Sequence, residues 1–249
     1  MKSLRIFYTK KGRVVLVLLA LLVVAGLIPA STAVAATFTV NDFADGVDTN
    51  PGNGVCQTSA GTCTLRAAIQ EANASSGADT IQLAAGTYTL TIPPGSGDDS
   101  ASGDLDITGP LTIVGAGSAE TIIDASGLDR VLHIHEIAGN VTLSNLTVRH
   151  GVSFEDGGGI FTESPGTLRL ENVVVSNNTT VMEGGGVYAT NGRLIITNST
   201  ISGNSARSGG GLYNAGELSP LNIPSRVEIS NSTISGNSAD SGGGVYNTH

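Results

Sequence analysis

The chain has four histidines, His133, His135, His150 and His249, and two of them stand one residue apart. His133 and His135 alternate with Leu132 and Ile134, so on a strand both imidazoles leave the same face. With Glu136 following, the pair is a conceivable acid–base or metal-ligand set. The spacing places no third ligand, and such pairs are ordinarily solvated surface. No metal site and no catalytic residue is therefore assigned. Asp98, Asp99, Asp104 and Asp106 are the densest run of acids. They offer the hard oxygens that calcium takes, without EF-hand spacing or a bidentate Glu, so calcium is the one cofactor the residues admit and none is required.

Polysaccharide cleavage would ask for more. An inverting hydrolase needs two carboxylates that divide the acid and base roles, and a lyase of the calcium-dependent type needs clustered Asp with a Lys or Arg base. The acids from Glu155 onward (Asp156, Glu163, Glu171, Glu183, Glu217, Glu228 and Asp240) are scattered. Asp156 and Glu183 each precede a Gly triplet and can stack, but Ser208 holds that place in the next copy, so they read as solvated turn acids. The aromatics are better ordered. Phe161, Tyr188, Tyr213 and Tyr246 each stand second after a Gly triplet, and they are the candidate binding residues. If the residue before each ring faces a core, the rings form one outward column. Its members either stack on one another or offer sugar rings or a partner protein a platform.

The elements that position these residues are repeats. Gly-Gly-Gly occurs at 157–159, 184–186, 209–211 and 242–244, at spacings of 27, 25 and 33 residues. Asn145, Asn172, Asn198 and Asn231 recur in step, each with apolar residues two and four positions before it and three after: Leu170, Leu168 and Val175 around Asn172, for example. Period-2 patterning at such a spacing denotes short strands in a solenoid, each pairing in parallel with its copy about 4.8 Å away. Asn suits left-handed bends and can ladder along the axis, and Gly suits sharp corners. The reading is all-β, a parallel β-helix with a short N-terminal capping helix. The pairing of Gly-Gly-Gly-Ile/Val/Leu with Ile/Val-x-x-Asn (Val175 to Asn178, Ile201 to Asn204, Ile234 to Asn237) resembles the repeat of polymorphic outer-membrane proteins. Here Gly replaces that family's Ala, and Val or Ile its Phe. The resemblance implies a right-handed, pectin-lyase-like β-helix.

Residues 1–36 read as a signal peptide. Lys2, Arg5, Lys10, Lys11 and Arg13 precede an uncharged apolar run over 14–28, and small residues follow. That run is shorter than the roughly 20 residues needed to span a bilayer, so the alternative, an uncleaved N-terminal anchor, is the lesser one, and either way the remainder is expected to leave the cytoplasm. Beyond it the chain has no Lys, and 21 acids face seven Arg, a net of −14 that disfavours nucleic acid and anionic membranes. These features imply a secreted or cell-surface location. Residues 37–78 form an N-terminal segment containing the only cysteines, Cys56 and Cys63, which an exported chain would join in a disulfide. Leu65, Ala68, Ile69 and Ala72 mark a helix face, with Thr64 as N-cap. The stretch from Cys63 to Ile69 resembles the CSLREA motif, with Thr64 for Ser and Ala67 for Glu. In that family the motif opens the N-terminal segment of secreted bacterial β-helix proteins. Physically, such a helix should close the open end of an apolar core.

Residues 79–249 form the solenoid. The repeat at its end is expected to continue into further coils. An insertion at 219–225 lengthens one copy and is either a tolerated surface loop or part of a binding face. The functional expectation is a monomeric, non-catalytic surface protein that contacts polysaccharide or a partner protein. The alternatives are a polysaccharide lyase or hydrolase with its site in further coils, and a structural spacer.

Overall fold

The computed structural model describes residues 34–95, 99–216 and 224–248. Residues 1–33 of the expected signal peptide, Asp98, His249 and most of the 219–225 insertion lie outside the described residues. Within them the chain is built of short parallel strands in three stacked sheets, the arrangement of a parallel β-solenoid. The largest sheet has the order Thr37–Thr39, Asp79–Gln82, Leu111–Val114, Val141–Arg149, Thr167–Ser176, Arg193–Thr197 and Arg226–Ser230, with four further short strands paired beside this path. A six-stranded sheet runs Leu105–Ile107, Leu132–Ile134, Ile160–Thr162, Val187–Ala189, Leu212–Asn214 and Val245–Asn247. The third is formed by Val152–Ser153, Thr179–Thr180, Ser205–Ser208 and Ser238–Ser241. No helix among the described residues is long and apolar enough to cross a membrane.

Side-chain alternation sets the core. Ile81, Ile113, Leu143, Leu170 and Ile196 pair in register from coil to coil, and all five are fully buried. Each such side chain contributes about 1.5–3 kcal/mol relative to exposure. Ile229 continues the column in the last described coil, where it is 42% exposed.

Two kinds of asparagine turn the coil. Asn145, Asn172, Asn198 and Asn231 hold φ between 49° and 56°, the left-handed bend between the flanking runs of the largest sheet. Asn178, Asn204 and Asn237 form a ladder. The backbone N–H and Nδ2 of Asn178 both donate to Asn204 Oδ1, at 2.9 and 3.0 Å, and Asn204 repeats the pattern on Asn237. Asn178 and Asn204 are buried, so each coil satisfies polar groups of the next where water is absent. Gly151 opens the ladder without a side chain, its N–H donating to Asn178 Oδ1 at 2.8 Å. The Gly corners pack against this ladder. A Cβ on Gly159 would stand 2.5 Å from the Gly186 carbonyl oxygen and 2.8 Å from Asn178 Nδ2.

The helix spans Leu65–Ala74, and the Thr64 hydroxyl accepts from the Ala67 N–H at 3.2 Å as N-cap. Leu65, Ala68, Ile69 and Ala72 enter the core, and the helix packs on the Asp79–Gln82 and Leu105–Ile107 strands. Two charged residues are buried with them, which helical spacing does not foretell. Arg66 reaches Asp45 and the carbonyls of Gly103 and Asp104, at 2.8 and 3.0 Å. Glu71 accepts from the N–H groups of Gly52 and Gly54, both at 3.0 Å. Cys56 and Cys63 are joined in a disulfide, with Cα atoms 5.2 Å apart.

Candidate functional site

The outward face of the six-stranded sheet carries one column of candidate side chains. Strand register aligns Asp106, His133, Phe161, Tyr188, Tyr213 and Tyr246, one from each coil. The residues before them, Leu105, Leu132, Ile160, Val187 and Leu212, are fully buried, so the column faces outward because its neighbours face in.

The rings stack along this column. Tyr188, Tyr213 and Tyr246 have centroids 5.2 Å apart at interplanar angles of 4° and 11°. Phe161 meets Tyr188 edge-on at 5.3 Å, and His133 stacks on Phe161 at 4.8 Å. Each tyrosine face is thus turned toward the next ring. Of the two arrangements the sequence leaves open, mutual stacking and a platform, the rings stack, and what remains for a ligand along Tyr188 to Tyr246 is ring edge and phenol hydroxyl. Tyr188 is itself buried, and burial raises its phenol pKa well above the ordinary value.

An aromatic face is open elsewhere. Phe154, in the bend before the first Gly triplet, is 82% exposed. It lines a surface cleft of about 290 Å³ with Arg130, Glu155, Asp156, Phe161 and Met182. Arg130 floors this cleft. Its Nε donates to the buried Asp104 at 2.9 Å, its Nη1 to the Asp156 carbonyl at 3.1 Å, and its guanidinium lies 5.0 Å from the Phe161 ring centre. Burial pushes the Asp104 carboxyl up to about 6 against the pull of Arg130. Phe154 escapes a repeat-based search because no other copy has an aromatic at its place.

At the foot of the column the two histidines meet carboxylates from neighbouring coils. His135 Nε2 lies 2.7 Å from Asp106 Oδ1. His133 sits 3.5 Å from Asp106 through Nδ1 and 3.4 Å from Glu163 through Nε2. The two imidazoles stack at 3.7 Å. Glu136, the partner adjacent in sequence, has an exposed side chain in the turn after the strand, and Asp106 and Glu163 take its place. Their signal is strand register across coils, not sequence proximity. Burial works against a charge on His133, but its contacts with Asp106 and Glu163 prevail and raise its pKa to about 9. Burial likewise disfavours ionised Asp106, yet the histidines hold its carboxyl below the usual range.

Asp156 and Glu183 lie on successive coils, and the Glu183 N–H donates to Asp156 Oδ1 at 3.1 Å. Ser208 does pair with Glu183 in strand register, but the residue before it, Arg207, forms an ion pair with the Glu183 carboxylate, a partner not foreseen in the sequence. Burial and a shared hydrogen bond with Glu183 raise Asp156 to about 6. In Glu183, burial is outweighed by Arg207 and Asp156, and its carboxyl is lowered. Asp156 Oδ1 is thus held by the Glu183 N–H and the Glu183 carboxylate by Arg207, so each acid already has a partner on the neighbouring coil. Of the four acids considered for calcium, Asp98 lies outside the described residues and the other three are engaged separately. Asp104 is engaged by Arg130 and Asp106 by the histidines, while Asp99 is an exposed loop residue whose carboxylate caps the Ala101 N–H at 3.0 Å.

Searches against protein-family models, curated proteins and solved structures find no match to this chain.

Proposed function

We propose that the protein is an exported, non-catalytic right-handed β-helix that binds neutral carbohydrate on the outward face of its six-stranded sheet, anchored in the Phe154 cleft. One observation carries this reading: an exposed aromatic ring beside a cleft edged by Glu155 and Asp156. Sugars present apolar C–H faces that pack on aromatic rings and hydroxyls that donate to carboxylates. The cleft volume is at the small end of ligand sites, the size for a sugar unit or two of a chain that continues along the tyrosine edges. The acidic balance of the chain beyond residue 36 disfavours polyanionic glycans. The apolar, uncharged segment behind five basic residues supports export, and the repeat and CSLREA-like resemblances support a surface or secreted setting.

The competing reading is polysaccharide cleavage. In its favour, Asp156 and Glu183 are pushed to opposite sides of the carboxylate range. Against it, the Glu183 carboxylate is tied up in an ion pair with Arg207, and Asp156 accepts from the Glu183 backbone N–H. The test incubates the full chain with neutral and acidic polysaccharides and tracks both retention on the polymer and polymer length. Retention on a neutral polymer without shortening, lost in Phe154→Ala, is the expected result. Shortening would replace the binding reading with the enzymatic one. No retention at all, or retention indifferent to Phe154→Ala, would leave a protein-binding surface or a spacer.

A further inference from the structure

We propose that Asp106, His133 and His135 form a binding site for a divalent first-row transition ion, with Glu163 as its outer hydrogen-bond acceptor. This does not depend on the carbohydrate reading. One donor atom from each of the three residues lies within 4.8 Å of the others. Their chemistry, two imidazoles and a carboxylate, is the set that zinc and its neighbours take, whereas calcium and magnesium prefer oxygen alone.

The ring edges define the geometry. Asp106 Oδ1 faces His133 Nδ1 at 3.5 Å and His135 Nε2 at 2.7 Å. Glu163 Oε1 faces the opposite nitrogens, His133 Nε2 at 3.4 Å and His135 Nδ1 at 4.0 Å. An ion on the Asp106 side would therefore leave both outer N–H groups directed at Glu163, the carboxylate–histidine–metal relation that fixes tautomer and ring orientation. Donors around a tetrahedral zinc stand about 3.3 Å apart, as bonds of roughly 2.0–2.1 Å require. The 3.5 Å separation is close to that value, the 2.7 Å contact must open by about 0.6 Å, and the two rings, stacked at 3.7 Å, must splay so that both nitrogens point at one ion.

A second observation points the same way. Asp106 is 2% exposed, and its Oδ2 is buried with no hydrogen-bond partner. A buried carboxylate oxygen left without a donor is costly, and a cation is one way to satisfy it. The side chains of His135 and Glu163 are 18% and 32% exposed, so the site opens to solvent on that side. The competing cation, Arg130, is held by Asp104.

The test uses the full chain without a histidine tag, stripped with chelator and dialysed against zinc chloride, with metal content measured per chain. Cobalt(II) added in place of zinc reports coordination by its visible absorption. One zinc per chain is expected, with a cobalt band of four-coordinate intensity. His135→Ala and Asp106→Asn should abolish retention. Glu163→Gln, which keeps volume, should weaken it by about 10–100-fold. His150→Ala is the control, since His150 also contacts a carboxylate, Asp124 at 3.1 Å, and should leave the stoichiometry unchanged. Far-UV circular dichroism establishes that each variant is folded. No zinc above background, or equal zinc in folded His135→Ala, would overturn the proposal, as would a loss confined to His150→Ala.

Discussion

Arg66 Nε donates to Asp45 Oδ1 at 2.6 Å, and both side chains are shut off from solvent. The pair joins four segments. Asp45 Oδ2 also accepts from the N–H groups of Thr91 and Ile92, at 2.7 and 2.9 Å, while Arg66 reaches carbonyls at Ser100, Gly103 and Asp104. Arg66→Ala leaves Asp45 as a buried charge without its cation and should cost about 3–5 kcal/mol. Arg66→Lys keeps the charge but loses the fork of donors and should recover less than half of that. Urea unfolding measures both, and a wild-type midpoint for Arg66→Ala would show that the pair contributes nothing.

The two asparagine classes should respond differently. Asn204→Ala leaves the backbone N–H of Asn178 without its acceptor and its Nδ2 with only the Val148 carbonyl, at 3.4 Å. Each buried group so stranded costs about 1–3 kcal/mol. Asn172 is exposed and holds φ 53°, so Asn172→Ala should cost only about 1–2 kcal/mol of backbone strain, and Asn172→Gly less. Equal losses at the two sites, measured by denaturant midpoints, would contradict the buried ladder.

In the chelator-stripped, metal-free chain, stability should fall with rising pH above neutrality. The folded pKa of His133 is raised to about 9, so its contribution is complete below the unfolded value near 6.5 and is lost as pH rises through 9. The upper limit is about 3 kcal/mol, from the size of that shift. The raised carboxyls of Asp104 and Asp156 act in the same direction over about pH 4–6, whereas the lowered carboxyls of Asp106, Glu163 and Glu183 act in the opposite sense and lower, their contribution being lost as pH falls below their ordinary values of 3.8 and 4.5. The window from pH 6.5 to 9 therefore isolates the histidine. Midpoints at both ends should differ in the wild type and converge in His133→Gln, and a flat wild-type profile would contradict the raised pKa.

Phe154 and Tyr188 separate binding from stacking. Tyr188 is buried between Phe161 and Tyr213, so Tyr188→Ala should cost about 3 kcal/mol, as large-to-small changes at buried aromatics do. Phe154→Ala removes an exposed ring and should leave the melting temperature within a degree or two while abolishing glycan retention. Loss of retention in a folded Tyr213→Ala but not in Phe154→Ala would move the ligand from the cleft to the tyrosine edges.

Features that obey local, repeated rules were legible in the order of residues alone. Alternation around Asn145, Asn172, Asn198 and Asn231 assigned the strands and their inward faces, because side chains on a strand reverse at every residue. The left-handed tolerance of Asn and the cap at Thr64 are equally local. Even the aromatic column could be read, since Phe161 to Tyr246 keep a constant distance from their Gly triplets. Which way the rings face was settled in three dimensions, because ring orientation depends on the neighbour above and below. The stacking of coils likewise brought Asp106 and Glu163 to the histidines, Arg207 to Glu183, and Arg66 into the interior. Those pairs join coils of unequal length, and the earliest coils carry no Gly triplet to align them. Which residues share a height along the axis is set there by the inter-strand hydrogen bonds, not by any spacing along the chain.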